Sequence, residues 1–227
     1  MRALHFTKID YILTRKQIFM LPLLFMLALA VGIKVSEEEM ALLIACSYMI
    51  FISSVFSTTV FAYCGGKNRG FLLLLPAAVK DRVAGRFLYG LSHIALLGVL
   101  CGVLMGAYRM MGFEVTGWES AAVLWELAAG IVIMTLEYLF FYLFGEGKEN
   151  WQFLSNIVRV VPGMAMFFAM CHLLAGLEDS APGTVIALDT MSVKLMQTGV
   201  IAVALSLILM AAAAVVCVKV IEKRDYA

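Results

Sequence analysis

The sequence is poor in charged side chains. Charged residues make up 15% of its 227 positions and apolar residues make up 63%. A soluble domain carries about 25% charged and about 45–50% apolar residues, so the composition excludes a water-soluble enzyme or binding module and also excludes disorder. The net charge of +1 provides no strong field of one sign, so we expect no nucleic-acid partner. A lipid bilayer is the solvent that this composition indicates.

Motifs for nucleotide and metal chemistry are also missing. The sequence has no GxxxxGK[ST] motif, because Gly66-Lys67 is followed by Asn68 and lacks a preceding glycine at the required spacing. It has no HExxH motif either, and its three histidines fall on three different segments. We therefore expect no catalytic residue, no metal and no cofactor in this chain, which predicts that it is not an enzyme.

The five cysteines form no CxxC pair. Without such spacing they predict neither a disulfide framework nor a zinc site. We interpret them as small apolar packing residues. They are Cys46, Cys64, Cys101, Cys171 and Cys217.

Long apolar stretches are what the sequence does contain. A membrane span needs about 20 mostly apolar residues, and six stretches meet that need. No loop between them is long enough for a globular domain, so we predict an all-α, polytopic membrane protein with residues 1–227 as one transmembrane domain. The predicted spans are about 17–33, 40–64, 87–108, 121–144, 157–177 and 196–220.

The basic residues predict the orientation of these spans. Loops on the cytoplasmic side of a membrane carry an excess of Lys and Arg. With the N-terminus in the cytoplasm, all of the 17 Lys and Arg residues except Lys34, Arg109 and Lys194 fall in inner segments. We therefore expect a multi-pass protein of the cell membrane with both termini cytoplasmic.

The loop over residues 65–86 is the most informative stretch. Its glycines break the second predicted span, and Pro76 suits the first turn of a new helix. We predict a short amphipathic helix over 76–86, which fits docking to lipid or to protein, although a solvated loop remains an alternative. Helical periodicity places Val79, Val83 and Arg86 on one face and Lys80, Asp81 and Arg82 around the other.

This loop resembles that of the ABC-2 type transporter permeases. The resemblance is carried by Leu75, Pro76, Lys80, Asp81, Val83, Arg86, Phe87 and Leu88. Three positions depart from the family pattern: Ala78 and Val79 replace the usual Ser and Arg, and Arg82 replaces an aliphatic residue. The layout of six spans is also similar, and is closest to that of compact permeases such as the phenol-soluble-modulin and bacteriocin-immunity exporters.

The resemblance implies a mechanism. In this family the loop carries a coupling helix that sits in a groove of a separate P-loop ATPase subunit, which binds ATP and Mg. Six spans are half a transporter, so the resemblance implies a second permease chain, identical or paralogous. It also implies outward movement of an amphipathic substrate, such as a peptide or an antimicrobial compound.

Residues 1–16 fit an interfacial helix. Leu4, Ile9, Ile12 and Leu13 can face membrane lipid, while Lys8, Arg15 and Lys16 face headgroups and water. A solvated basic tail is the alternative. In the family such a helix also leans on the ATPase.

Two spans carry patterned small or polar residues. Gly98, Gly102 and Gly106 form a doubled GxxxG in the third predicted span, which indicates tight packing within one chain or between two. Ser54 and Thr58 share a face of the second predicted span, as hydroxyls bonded to their own backbone or as part of a polar translocation path.

Glu126 and Glu137 lie at membrane depth, where a carboxylate is costly and usually faces the interior of the bundle. They are eleven residues apart on one helix face, about 16 Å along the axis, which excludes a shared proton. They either line a translocation path or bond to polar groups on a neighbouring helix.

Three classes of function stay open at this point. An ATP-binding-cassette exporter is the first, an ion-coupled secondary transporter using Glu126 and Glu137 is the alternative, and an intramembrane enzyme or assembly factor is the third. The secondary transporter lacks the inverted repeat that such proteins show, and the enzyme lacks a catalytic set. Residues 184–194 are expected to form either a re-entrant helix or a surface loop.

Overall fold

The computed structural model describes residues 2–18, 78–112, 117–144 and 184–225, and the isolated positions 23, 25–27, 30, 46, 57, 58, 60, 61, 157, 158, 160 and 161. Within these residues the regular structure is entirely α-helical, as predicted. The four long helices are α1 (Arg2–Ile18), α2 (Val79–Met110), α3 (Gly117–Phe144) and α4 (Thr184–Asp225).

Three helical segments of the described part are long and apolar enough to cross a membrane. They are Val79–Met110, Glu119–Phe144 and Ser192–Lys223. They contain the predicted third, fourth and sixth spans, which confirms those three as apolar helices of spanning length. The predicted spans 17–33, 40–64 and 157–177 lie largely outside the described residues.

The start of α2 corrects one prediction. We expected a short coupling helix ending near Arg86 and a separate span beginning at Phe87, but a single helix runs through both positions. No proline interrupts this stretch. The negative charge of Asp81 in the first turn interacts favourably with the positive end of the helix dipole, which stabilises a helix that begins here. The 32 residues of α2 extend about 48 Å, whereas the hydrocarbon core is about 30 Å thick. The first turns of α2 can therefore project beyond the hydrocarbon.

The other end of α2 is closed by Gly112. Its φ of +90° lies in the left-handed region, which glycine adopts without a steric penalty. Its N–H donates to the carbonyl of Arg109 at 3.1 Å, and the N–H of Met111 donates to Ala107 at 3.0 Å. These bonds satisfy carbonyls at the helix end.

Helix α4 corrects a second prediction. Residues 184–194 form neither a re-entrant helix nor a surface loop, because they belong to the 42-residue helix Thr184–Asp225. The sequence holds no proline or glycine between Thr184 and Gly199, so nothing ends the helix before the predicted span at 196.

The helices pack around two buried clusters. Contact is most extensive between α3 and α4, and α1 packs on α2. The first cluster, here called the terminal cluster, joins the start of α2 to the ends of α3 and α4: Val60, Phe61, Val83, Phe87, Tyr89, Ile94, Ile131, Met134, Tyr138, Phe141, Ala213 and Cys217. The distal cluster lies toward the other end of α2: Cys46, Leu97, Cys101, Leu104, Tyr108 and Val123. The start of α2 and the end of α4 therefore lie at the same end of the described bundle.

Candidate functional site

The first two turns of α2 carry the residues that sequence analysis assigned to ATPase coupling. Val83 is fully buried in the terminal cluster and Val79 packs against its edge. Lys80 is exposed, and Asp81 and Arg82 are half-buried. Val83 of the predicted apolar face is thus turned into the protein, and Lys80 of the predicted charged face is turned out of it. Pro76 lies outside the described residues.

Arg86 ties this segment to two other elements. Its Nε lies 3.8 Å from Oδ2 of Asp10 on α1. Its guanidinium carbon lies 5.1 Å from the centre of the Phe61 ring, in the range of a cation–π contact. The sequence placed Arg86 among docking residues, and the structure places it within the chain, between α1 and the second predicted span.

A close backbone crossing holds α1 against α2. A Cβ atom added at Gly85 would lie 2.5 Å from Cβ of Phe6 and 2.7 Å from the carbonyl oxygen of Ala3. No side chain fits at that separation, so glycine is what permits α1 to lie on α2 here. The hydroxyl of Thr7 is directed at the carbonyl of Gly85, 2.9 Å away, and at that of Ala3, 3.2 Å away.

Side-chain hydrogen bonds continue this interface for two further turns. The hydroxyl of Tyr89 donates to Oγ1 of Thr14 at 2.7 Å, and Thr14 donates to the carbonyl of Asp10 at 2.8 Å. Ser92 donates to the carbonyl of Tyr89 at 2.6 Å. Because the Ser92 hydrogen is used there, Tyr11 is the donor in the 2.5 Å contact between its hydroxyl and Oγ of Ser92.

An aromatic group fills the space beside these bonds. The ring of His93 stacks on Tyr11, with centroids 5.7 Å apart, and meets Tyr89 edge-on at 4.6 Å. His93 is 2% exposed, and neither of its ring nitrogens has a hydrogen-bond partner among the described residues. The interface between α1 and α2 is therefore polar and aromatic, whereas the opposite side of α1 carries exposed apolar residues.

Asp10 is the charged residue at the centre of this interface. It is 3% exposed. Burial raises its pKa from the ordinary 3.8 to about 6, and the Arg86 guanidinium opposes that rise. At 3.8 Å the Arg86 contact is longer than a hydrogen bond, and Oδ2 accepts no hydrogen bond in the part of the chain that the structure describes.

Sequence analysis missed Asp10, Thr14 and Tyr89. It assigned the apolar residues of α1 to lipid, and Leu4 and Ile12 are indeed 64% and 56% exposed. The signal for the other face was present, because Thr7, Asp10 and Thr14 recur at helical spacing. Such a polar stripe opposite exposed apolar residues indicates a face that packs against a polar partner.

The acidic residues of α3 face the interior, as predicted. Glu126 is 4% exposed and Glu137 is fully buried. The hydroxyl of Tyr138, beside Glu137, donates to the carbonyl of Ser57 at 2.9 Å, which joins α3 to the second predicted span. Thr58 is also buried, and Ser54 lies outside the described residues.

The glycine stripe of α2 divides into two parts. A Cβ at Gly98 would lie 3.6 Å from Leu127 of α3, an ordinary packing distance. At Gly102 and Gly106 no atom of the described residues lies within 4 Å. Packing among the described residues therefore accounts for Gly98 and does not account for Gly102 or Gly106.

A comparison with protein families shows to which class of membrane protein the chain belongs. The family model for ABC-2 family transporter proteins matches residues 6–222, nearly the whole chain. The chain belongs to this family. No curated protein and no solved structure matches it. The predicted membership of the ABC-2 permeases is thereby confirmed, and the chain is the membrane subunit of a transporter and not itself a catalytic subunit. Within this ABC-2 permease, α1 and the start of α2 form one packed unit at the end of the bundle where α4 also ends.

Proposed function

We propose that this ABC-2 permease exports an amphipathic substrate, a peptide or an antimicrobial compound, across the cell membrane, driven by a separate P-loop ATPase. The observation that carries the proposal is the start of α2. Its apolar face is packed into the terminal cluster through Val83, while Lys80 is exposed and Asp81 and Arg82 are partly exposed. Family membership supports a partner that supplies ATP hydrolysis.

The contacts between α1 and α2 give the first turns of α2 a mechanical role in this proposal. Thr7, Thr14 and Tyr89 bond the two helices together, and Arg86 lies beside Asp10. A force applied by an ATPase to residues 80–82 would therefore move α1 with α2. Because α2 continues without a break to Met110, the same force would reach the far end of the bundle. The contact residues of the proposal are Pro76, Lys80, Asp81 and Arg82, with Val79, Val83 and Arg86 holding the segment in place.

The basic residues supply the orientation in this proposal. Lys80, Arg82 and Arg86 at the start of α2 and Lys219 and Lys223 near the end of α4 lie at the same end of the bundle. The positive-inside rule supports a cytoplasmic position for that end, where an ATPase would reach it. Two such chains with two ATPases would complete the transporter, and ATP and Mg would bind on the ATPases.

Affinity purification in mild detergent tests the proposal. The permease is purified from native membranes, and the eluate is assayed for ATPase activity and for a P-loop subunit. A second sample carries Asp81→Lys and Arg82→Glu, and a control carries Arg109→Glu at the opposite end of α2. We expect the ATPase with the wild type and the control, and its loss from the double variant.

Two results would contradict the proposal. The first is the absence of an ATPase from the wild-type eluate in several detergents. In that case the ion-coupled alternative, with the buried Glu126 and Glu137 of α3, becomes the function to test. The second is an ATPase that stays bound to the double variant, which would place its docking surface elsewhere.

A further inference from the structure

Helix α1 crosses α2 where the charged start of α2 gives way to its apolar part. Arg86 is the last Lys, Arg, Asp or Glu of α2 before Arg109. The contacts of α1 fall on both sides of that boundary, because Thr7 bonds to the carbonyl of Gly85 and Thr14 to the hydroxyl of Tyr89. A helix held at such a boundary lies between the hydrocarbon and the headgroups of a bilayer.

The exposed face of α1 combines basic and apolar side chains. Sequence analysis assigned the apolar residues to lipid and the basic residues to water, but the structure places both kinds on one side of the helix. At 3.6 residues per turn they fall within a sector of about 120°. This sector, here called the outer face, consists of Leu4, His5, Lys8, Ile12, Arg15 and Lys16, all of them exposed.

The charge of the outer face has one sign. The acidic residue of α1 is Asp10, which is 3% exposed on the opposite side of the helix, beside Arg86. Lys8 and Arg15 are two turns apart, about 10 Å along the axis, and Lys16 follows in the last turn. The stems of Lys and Arg can lie along an apolar surface while their charged ends reach a polar layer.

This pattern differs from that of the segment assigned to the ATPase. Lys80, Asp81 and Arg82 at the start of α2 carry charges of both signs, as a contact with a water-soluble protein surface requires. On the outer face, exposed Leu4 and Ile12 lie among cationic groups only. Cations interleaved with apolar side chains complement a surface that has acyl chains below and negative charge above.

We propose that the outer face of α1 is a binding surface for anionic phospholipid, with Lys8, Arg15 and Lys16 beside the headgroup phosphates and Leu4 and Ile12 among the acyl chains. Because Thr7 and Thr14 bond α1 to α2, lipid bound there would hold the start of α2 at a fixed depth in the membrane. Each Lys or Arg near an anionic leaflet strengthens the association about fivefold.

Photo-labelling by lipid tests the proposal on the full-length permease. The protein is purified without an ATPase, so the result is independent of the proposed function, and is reconstituted into phosphatidylcholine nanodiscs. The discs contain a trace of phosphatidylglycerol with a photoreactive group near its headgroup, and peptic peptides are mapped by mass spectrometry. We expect labelling of α1 that unlabelled phosphatidylglycerol displaces, and that neither added phosphatidylcholine nor soluble glycerol phosphate displaces.

Matched variants assign the effect to the outer face. Arg15→Gln with Lys16→Gln should lower the labelling of α1 roughly 25-fold, at about fivefold for each charge. Arg15→Lys with Lys16→Arg keeps both charges and should retain the labelling. The control is Lys219→Gln with Lys223→Gln, which removes two exposed basic residues of α4 at the same end of the bundle and should leave the labelling nearly unchanged.

Four results would overturn the proposal. Displacement by phosphatidylcholine as effective as that by phosphatidylglycerol would make the outer face an ordinary lipid contact, and displacement by glycerol phosphate would make it a site for a free anion. Absence of label from α1 in these protein-free discs would leave an acidic protein as its partner. Equal losses in the α1 variant and the α4 control would show an effect of overall charge. The displacement experiments use the wild type alone, so they decide the matter even where a variant fails to fold.

Discussion

The hydroxyl of Tyr89 on α2 donates a 2.7 Å hydrogen bond to Oγ1 of Thr14 on α1, and both side chains are completely or almost completely buried. A buried hydroxyl pair of this kind fixes the position of one helix on the other, because breaking it leaves polar atoms without partners. It lies just beyond the segment that the proposal assigns to the ATPase. The N-terminal helix therefore has a structural role in the coupling region as well as a lipid-facing side.

The Tyr89–Thr14 bond should be measurable by a double-mutant cycle. Tyr89→Phe and Thr14→Val should each lower the free energy of unfolding by about 1 kcal/mol. The double variant should cost less than the sum of the two, since both remove the same bond. Thermal or denaturant unfolding in detergent measures these values. Thr198→Val, at an exposed site where the hydroxyl bonds its own helix, should be nearly neutral. Additive losses would show that the bond contributes nothing.

The crossing of α1 over α2 predicts a strong effect at Gly85. Gly85→Leu should displace α1, because even a Cβ there would lie 2.5 Å from Phe6 and the backbone of Ala3 cannot yield without moving the helix. We expect a melting temperature lower by several degrees and faster proteolysis at Arg15 and Lys16. Gly102→Leu is the control, since no described atom lies within 4 Å of the added Cβ. Equal effects of the two substitutions would contradict the described packing.

Asp10 predicts a defined dependence of stability on pH. Burial raises its pKa from 3.8 to about 6, so the folded protein keeps a proton on Asp10 that the unfolded chain has released between those values. The free energy of unfolding should therefore fall as the pH rises from about 4 to about 6 and level off above, by at most about 3 kcal/mol.

Replacing Asp10 isolates this contribution. In Asp10→Asn the fall between pH 4 and pH 6 should be smaller than in the wild type, since amide and protonated carboxyl are both neutral. Glu222→Gln, at an exposed position of α4, should keep the wild-type dependence. Identical pH profiles for the wild type and Asp10→Asn would show that folding does not raise the pKa of Asp10.

Glu126 and Glu137 have two interpretations that one variant separates. We expect the double variant Glu126→Gln and Glu137→Gln to have a lower melting temperature, because both carboxyls lie in the interior of the protein. Export activity should then fall only in proportion to the folded protein. Export lost at an unchanged melting temperature would instead place both residues in the translocation path. Glu222→Gln serves again as the exposed control.

The all-α class could be predicted from the sequence, because each apolar stretch that indicates a helix is continuous in the chain. The sequences of α2, α3 and α4 are apolar over lengths that only a membrane span requires, so three of the predicted spans appear where they were expected. The loop before α2 also carried the family resemblance that the family model confirms. Hydropathy alone could not show that α2 starts at Val79, because the charged first turns read as a loop.

The arrangement of α1 depended on contacts that a sequence does not display. The crossing needs a glycine at position 85 to face Phe6, 79 positions earlier in the chain. The spacing of Thr7, Asp10 and Thr14 marks a polar face of α1, but only the crossing shows that Arg86 is the residue beside Asp10.

Photo-crosslinking at the two ends of α2 tests the central claim most directly. A photoreactive amino acid replaces Lys80, which is exposed in the first turns, and in a separate sample it replaces Met110, which is 85% exposed at the other end of the same helix. Both are illuminated in native membranes that contain the co-purifying ATPase. The account predicts a crosslink to the ATPase from position 80 and none from position 110. A crosslink from position 110, or none from position 80 although the ATPase is bound, would contradict it.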